Sequence, residues 1–568
     1  MKIDWKQSWR FVLFPALFYL AWFIILTFPA ILKLNSHIWA GRGDGMTMVW
    51  NIWWVDKAVR ELHSHPWFTD YLFHPMGTSL LVHTMHPLKG LMAIPMLKIL
   101  PPITNYNVLV ILSFVFSGMS AFWLAFVLVR SYWPAILAGF IFTFSSFHFQ
   151  HAQGHLHLIS LEWMPIFVLA WYSFLKNPNW WKAVLSGVVL FLVFLCDAYY
   201  MMYCVLFGAV MVAWWCFRER SLWFLLRREY RLPLAIFVIV CLCTTGALAG
   251  ALLHAMKSDP PPFFPAWEHS MDLLAPFIPG YHWRFAELTE GYWSKIPGKV
   301  HGNSMYIGWS VVILVVYAFL NRKKIDYRDL GMWFLLALFF AAMALGPKLY
   351  IWGWEAPYFG DPDHRLIKMP YGFMQKFIPG LKVGARPNRL FIMAILAITM
   401  IAAHAYRQLR ASGPKSRVFA LALLPLLLVE YLPSPLPATD PQVPAYIAKL
   451  NEAEGEGALF DVITHKARVL FLQTLHERPI PRGWIARVGR SRMIQISEQT
   501  KLREEGRYAE IRDRHHYRFV LDEASRMDAI LESCGGGVVL HKDSEFVLID
   551  MQAANSGSDT AIREETVP

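Results

Sequence analysis

The sequence predicts an all-α polytopic membrane bundle of about eleven transmembrane helices, followed by a small soluble C-terminal α/β domain. Two observations predict the bundle. Of 568 residues, 56% are hydrophobic and only 17% are charged, which is outside the range of ordinary soluble domains. The apolar residues are also clustered, in nearly uncharged stretches of about 18 to 25 residues that recur from Phe11 to Tyr431, the length a helix needs to cross the hydrocarbon core. A third observation predicts the soluble domain: these stretches stop near Pro433.

Taken in order, the spans fall at roughly 11–33, 106–129, 133–147, 159–175, 183–199, 203–217, 232–252, 304–320, 330–345, 390–405 and 418–433. Met1–Arg10 is basic, and the run after it, Phe11–Leu34, is longer than a signal h-region and lacks a small-residue cleavage site, so it reads as a retained first span. The formal charge of +12 does not point to nucleic acid, because the basic residues sit in short clusters between apolar runs. Those clusters alternate: Lys2, Lys6 and Arg10; Arg130; Lys176 and Lys182; Arg218 to Arg231; Arg322 to Arg328; Arg407 to Arg417. The positive-inside rule puts them, and the N-terminus, in the cytoplasm, and an odd number of spans puts the C-terminal domain outside. The expected location is the cytoplasmic membrane, with lipid as the main solvent. Five of six cysteines lie in or beside spans and Cys534 stands alone in the tail, which argues against a disulfide framework or a cysteine-based zinc site.

Within a membrane domain of 1–433, the long loops are 34–105, 253–303 and 346–389, all expected outside and folded over the bundle as a cap. Met46–His63 has helical spacing that suits a helix lying in the interface, and Pro87–Leu100 is apolar but too short to span. A Pro-rich linker, 434–447, favours an extended spacer. The domain 448–552 reads as strands at Ala458–Thr464, Gly537–Leu540 and Phe546–Met551 with helices at Arg468–His476 and Glu523–Cys534, and 553–568 reads as a disordered tail.

The strongest local signal is G41-R-G-D-G-M-T-M-V-W-N-I-W-W followed by P66-W-F-T-D-Y-L-F-H-P-M-G-T-S-L-L. With G154-H-L-H-L, E162-W-M-P, D197-A-Y-Y, S270-M-D-L-L-A-P-F-I-P, Y306-I-G and A385-R-P-N-R-L in the same order, the sequence resembles the GT-C superfamily of polytopic membrane glycosyltransferases, in particular its uncharacterised prokaryotic members. The resemblance implies a polyprenyl-phosphate sugar donor, a glycan, lipid or protein acceptor at the outer face, and an acidic residue in the first outer loop. Asp44 matches that position. A carboxylate there suits the chemistry, because an acceptor hydroxyl must lose its proton as it attacks the anomeric carbon. The alternative is that Asp44 caps the following helix. Where many relatives carry paired acidic residues, this chain has Gly45 beside Asp44, with Asp56 and Asp70 as distant further carboxylates.

A phosphate leaving group needs positive charge or donors aimed at its oxygens. Lys382, Arg386 and Arg389, just before a span, are the candidates, against the alternative that they anchor in lipid headgroups. In the histidine-rich run H148-F-Q-H-A-Q-G-H-L-H, His155 is the candidate donor to phosphate or sugar; the spacing is not a recognised ligand pattern for a metal ion. For acceptor or sugar binding the candidates are Glu162, costly in lipid and so expected to face a cavity, Asp272, Tyr199, Tyr200 and Trp54. The tyrosines could equally belong to an aromatic belt, and Asp272 with the later His301 and Asn303 could be structural. There is no Walker loop and no dinucleotide fingerprint, which fits a donor already attached to lipid. No resident cofactor is read from the sequence, and a divalent metal has no ligand pattern behind it. Two other classes remain open: a transporter or flippase for a lipid-linked glycan, expected to carry charge within its spans, and a non-catalytic assembly subunit.

Overall fold

The computed structural model describes residues 5–262, 265–296, 305–325, 327–355 and 367–552; His301, Asn303 and the tail 553–568 lie outside the described residues. The chain divides into two compact units: Met1–Gly41, Met85–Ala251 and Phe263–Thr439 form the first, and Arg42–Thr84, Leu252–Pro262 and Asp440–Pro568 the second.

The first unit is helical. Among the described residues, five helices are long and apolar enough to cross a membrane: Trp9–Thr27, Pro102–Val129, Ala198–Arg218, Arg228–Ser258 and Pro387–Ala411. Shorter apolar helices include Pro87–Leu97, Trp180–Cys196, Trp309–Leu320 and Leu330–Ala344. Their environments differ sharply, since 94% of the apolar window in Pro387–Ala411 is buried against protein but only 6% of that in Arg228–Ser258. One is the centre of the bundle, and the other leaves its side chains for an apolar solvent, as helices in lipid do.

Close approach of three helices is set by two glycines. Tyr19 from Phe14–Thr27 donates a hydrogen bond to the Ile136 carbonyl at 3.0 Å, and its ring lies across Pro102–Val129 and Tyr132–Thr143. A Cβ on Gly118 would come within 2.7 Å of that ring, and one on Gly139 within 1.9 Å of the Tyr19 hydroxyl. Small residues at such crossings let membrane helices pack on each other's backbones. Charge at a helix end is also explained locally. The Glu430 carboxylate accepts from the backbone N–H groups of Trp309 (2.9 Å) and Ser310 (3.1 Å), which open the helix Trp309–Leu320 and lack partners within it.

Glu162 stands at the N-cap of the helix Trp163–Lys176, outside the helix rather than within it. Tyr199 and Tyr200 likewise lie in the first turn of Ala198–Arg218, where the sequence suggests a connecting loop. The linker is pinned as well as extended: Ile38 and Thr439 exchange two backbone hydrogen bonds of 2.9 Å.

The second unit contains a four-stranded sheet. Strands β1 (Ala458–Asp461), β2 (Tyr517–Glu523), β3 (Val538–Lys542) and β4 (Phe546–Asp550) are ordered β1-β2-β4-β3, with β1 parallel to β2 and the other neighbours antiparallel. The alternating apolar residues Phe460, Tyr517, Val520, Val547 and Ile549 build its core with Leu502, Tyr508, Ile511 and Ile530 from helices. Strand β2 and the helices Arg490–Glu504 and Tyr508–His515 are absent from the sequence-based reading. Their charges are internally matched: buried Asp522 pairs with Arg503 and accepts from Tyr508 at 2.8 Å.

The stretch 42–84 belongs to this unit. Its helix Asp44–Asp56 is not an interfacial helix with one wet face, because every residue from Gly45 to Asp56 is buried. It packs on Arg468–His476, where Trp50 donates to the Gln473 side chain at 2.7 Å, and Gln473 in turn donates to the Tyr71 carbonyl at 2.7 Å. The Tyr517 hydroxyl donates to the His74 carbonyl, also at 2.7 Å.

Candidate functional site

Two groups of polar residues stand out, one in each unit. In the first unit the group begins with the helix Ser146–His151 and the loop after it. His148 is a structural residue: its ring stacks on Phe114 with centroids 3.8 Å apart, and its two nitrogens face the carbonyls of Thr143 and Ile159. His151 is different. It is 4% exposed, its ring meets Phe147 and His155, and neither ring nitrogen has a hydrogen-bond partner among the described residues. Buried polar atoms are normally satisfied, which sets His151 apart from His148.

The neighbours of His151 are cationic or aromatic. The His155 ring lies 5.4 Å from His151 and 5.8 Å from His157, and Nε2 of His157 is 4.0 Å from an Asp197 oxygen. Asp197 also accepts from the backbone N–H groups of Tyr199 (2.7 Å) and Tyr200 (3.2 Å), capping the helix Ala198–Arg218. The guanidinium of Arg389 lies 5.8 Å over the Tyr199 ring. Arg386 and Arg389 both act through space on His151, and Arg389 also on His157. Burial first, then neighbouring His155 and these guanidinium charges, push both imidazoles well below their ordinary range. Each is therefore neutral at neutral pH and offers one N–H donor and one acceptor.

The structure thus gathers His155, Arg386, Arg389 and Tyr199 around one locus. It adds His151, His157 and Asp197, which the histidine-rich run and D197-A-Y-Y signalled without separating them from their neighbours. His269 joins through its ring, which lies 2.7 Å from Nη1 of Arg386. Other candidates are engaged elsewhere. Glu162 forms an ion pair with Lys89 at 2.7 Å, with both side chains buried, and Lys89 donates to Ser113 at 2.8 Å. Asp272 accepts from Leu274 N (2.9 Å), the Tyr292 hydroxyl (2.8 Å) and Gly353 N (2.8 Å), tying two connecting segments together. Tyr200 is fully buried and donates to the Leu158 carbonyl. Lys382 is exposed on the short helix Pro379–Gly384.

In the second unit the group surrounds Asp44. The N-cap of the helix is Gly43, and Asp44 is the first helical residue, so the carboxylate is not the cap that the sequence offered as its alternative role. A carboxylate in the first turn is favoured by the free N–H groups there. Asp44 is half-buried and accepts a hydrogen bond from the Trp484 indole N–H at 3.1 Å. His83 is close enough to feel its charge. Nδ1 of His83 accepts from the Ala486 backbone N–H at 3.0 Å, which leaves Nε2 to donate to the Asn51 side-chain oxygen, also at 3.0 Å. Burial pushes the His83 imidazole down to about 3, against the opposing charge of Asp44. Trp54 is core: its indole donates to the Pro66 carbonyl at 3.0 Å and its ring stacks parallel to Trp50 at 5.9 Å. Among the described residues, no group of three His, Cys, Asp or Glu side chains could hold a metal ion.

The chain shares its fold with the arabinofuranosyltransferase AftD from Mycobacteria, with a TM-score of 0.54 and 14% identity over 96% of this chain and 40% of AftD. This chain therefore spans less than half the length of AftD. It is also similar to the oligosaccharyltransferase AglB from Archaeoglobus fulgidus (TM-score 0.44, 12% identity, 93% of this chain and 71% of that one). A further similarity is to ArnT from Cupriavidus metallidurans bound to undecaprenyl phosphate (TM-score 0.40, 12% identity, 95% and 99%). The chain belongs to the DUF6311 family, a domain of unknown function, whose profile matches residues 16–373. No curated protein matches the sequence.

Proposed function

We propose that this protein is an integral membrane glycosyltransferase that transfers a sugar from a polyprenyl-phosphate carrier to an extracytoplasmic glycan, lipid or protein acceptor. The observation that carries the reading is the locus of His151, His155, His157, Arg386 and Arg389, where the buried imidazoles of His151 and His157 lie within electrostatic reach of guanidinium charge. Donors and positive charge of this kind are what a departing phosphate requires. The GT-C fold supports the same reaction class.

In this reading the acceptor hydroxyl attacks the anomeric carbon while the bond from that carbon to the phosphate oxygen breaks. Both electrons of the broken bond leave with the polyprenyl phosphate, whose added negative charge is met by Arg386, Arg389 and the imidazole N–H groups, with Lys382 guiding the headgroup. Asp44 takes the acceptor proton as general base. Tyr199 offers a ring for the sugar face. Glu162, Asp272 and Tyr200 act in the first unit, and Trp54 in the second, through packing and internal pairing. We place the bundle in the cytoplasmic membrane with about eleven spans, counting the shorter apolar helices, with the N-terminus cytoplasmic and residues 448–552 outside.

The test uses purified full-length protein and a panel of polyprenyl-phosphate sugars, with transfer to cell-envelope glycan and lipid fractions read by mass spectrometry. Transfer is expected with one donor and is expected to fall at least about 100-fold in Asp44→Asn. No transfer from any donor, with binding or translocation of a lipid-linked glycan instead, would replace the enzyme reading by that of a flippase or assembly subunit. Undiminished transfer by Asp44→Asn would remove Asp44 as the base.

A further inference from the structure

We infer that Trp484, in the C-terminal part of the chain, is a positioning residue for Asp44: its indole N–H fixes the carboxylate rotamer and stabilises the ionised form. The inference rests on the proposed role of Asp44 and gives the C-terminal segment a part in the reaction. Its first support is the 3.1 Å hydrogen bond across 440 residues of sequence. Its second is how firmly the donor is held. Lys466 lies 4.3 Å over the Trp484 ring, the His465 ring lies 5.7 Å from it, and the Trp484 backbone N–H donates to the Lys466 carbonyl at 3.0 Å. Two residues on, the Ala486 N–H is bound by His83, which is itself anchored to Asn51 on the Asp44 helix. Between the chain turn and its neighbours there is no slack, because a Cβ on Gly483 would stand 2.6 Å from Leu470 and 3.4 Å from Leu72.

Segment 483–486 is thus clamped to the helix Asp44–Asp56 at two adjacent points, one of them the carboxylate. A neutral N–H donor to a carboxylate favours its charged form and lowers its pKa. The charged and titratable groups near this contact include His83, held neutral by burial, and Lys466 and His465 beyond the indole.

The test reads Asp44 protonation without substrate. Carbodiimide labels protonated carboxyl groups, and the pH midpoint of Asp44 labelling is followed by peptide mass spectrometry in full-length protein. Trp484→Phe, which keeps the ring and removes the donor, is expected to raise the midpoint by about one pH unit. Trp484→Gln, which keeps an N–H donor without the ring, is expected to stay near wild type. With an active donor from the panel, Trp484→Phe is expected to lower kcat about tenfold at unchanged donor KM and to move the acidic limb of the pH profile upward. An unmoved midpoint in Trp484→Phe overturns the inference; should that variant not fold, a raised midpoint in Trp484→Gln overturns it instead. Wild-type transfer by Asp44→Asn alongside a shifted midpoint would leave the hydrogen bond standing and end the base assignment.

Discussion

Lys89 and Glu162 form an ion pair 2.7 Å long with both side chains out of solvent, joining the helix Pro87–Leu97 to the N-cap of Trp163–Lys176. A buried pair gains little over apolar packing, but removing one partner strands the other as an uncompensated charge. Lys89→Met and Glu162→Gln are each expected to destabilise the protein by about 3 kcal/mol, and the double variant by clearly less than the sum. Thermal melts in a fixed detergent would show this; additive losses would mean that the two groups do not depend on each other.

The contact of Tyr19 with Gly118 and Gly139 makes a packing prediction. Gly139→Ala drives a methyl group into the Tyr19 hydroxyl, an overpacking that costs about 1 to 3 kcal/mol. Tyr19→Phe loses the bond to the Ile136 carbonyl, worth about 1 kcal/mol, and does not clear the site, because that methyl would still stand 2.5 Å from the Gly118 carbonyl oxygen and 2.6 Å from Cζ of the ring. The double variant is therefore expected to remain well below wild type in stability, a comparison made in the same melting assay.

Acid is expected to weaken the second unit through its buried histidines. His83 and His476 are pushed by burial from an ordinary value of about 6.5 down to about 3. Between those values the unfolded chain binds protons that the folded chain does not, so stability is full above about pH 6.5 and is lost as the pH falls. Each group contributes a slope of up to about 1.4 kcal/mol per pH unit within the window. Hydrogen exchange in the segment 458–550 between pH 7 and pH 5 measures it, and His83→Gln should reduce the slope.

Arg389 sits where it can act on His151, His157 and the Tyr199 ring. Arg389→Gln is expected to raise the KM for the polyprenyl-phosphate donor by about tenfold or more and to lower kcat as well, since phosphate charge grows as the bond breaks. Arg389→Lys keeps the charge but not the planar fork and should recover only part of both losses. A variant changed only in acceptor KM would place Arg389 on the other substrate.

Much of the helical unit was legible because apolar runs report on solvent, and lipid is a strong signal. The depth of each helix was not. Pro387–Ala411 and Arg228–Ser258 are both apolar, yet one is enclosed by protein and the other is not, since the difference lies in what surrounds them. The histidine-rich run is legible as a run; only the fold separates His148, whose nitrogens face carbonyls, from His151, whose nitrogens have no hydrogen-bond partner among the described residues. Strand β2 carries Asp522 among charged flanks, and Arg503 and Tyr508 satisfy that buried carboxylate from 19 and 14 positions away in sequence. Trp54 had the residue type of a sugar platform but spends its ring and its N–H on the core. The partnership of Asp44 with Trp484 joins residues 440 positions apart, beyond the reach of local spacing.

The bond from Trp50 to Gln473, with 423 residues between the two ends, also has a meaning in time. During synthesis Trp50 is made 423 residues before Gln473, and Asp44 440 residues before Trp484. Until those residues arrive, the Trp50 indole lacks this acceptor and the Asp44 carboxylate lacks this donor. A chain interrupted before Gln473 therefore cannot assemble the candidate base in its finished setting.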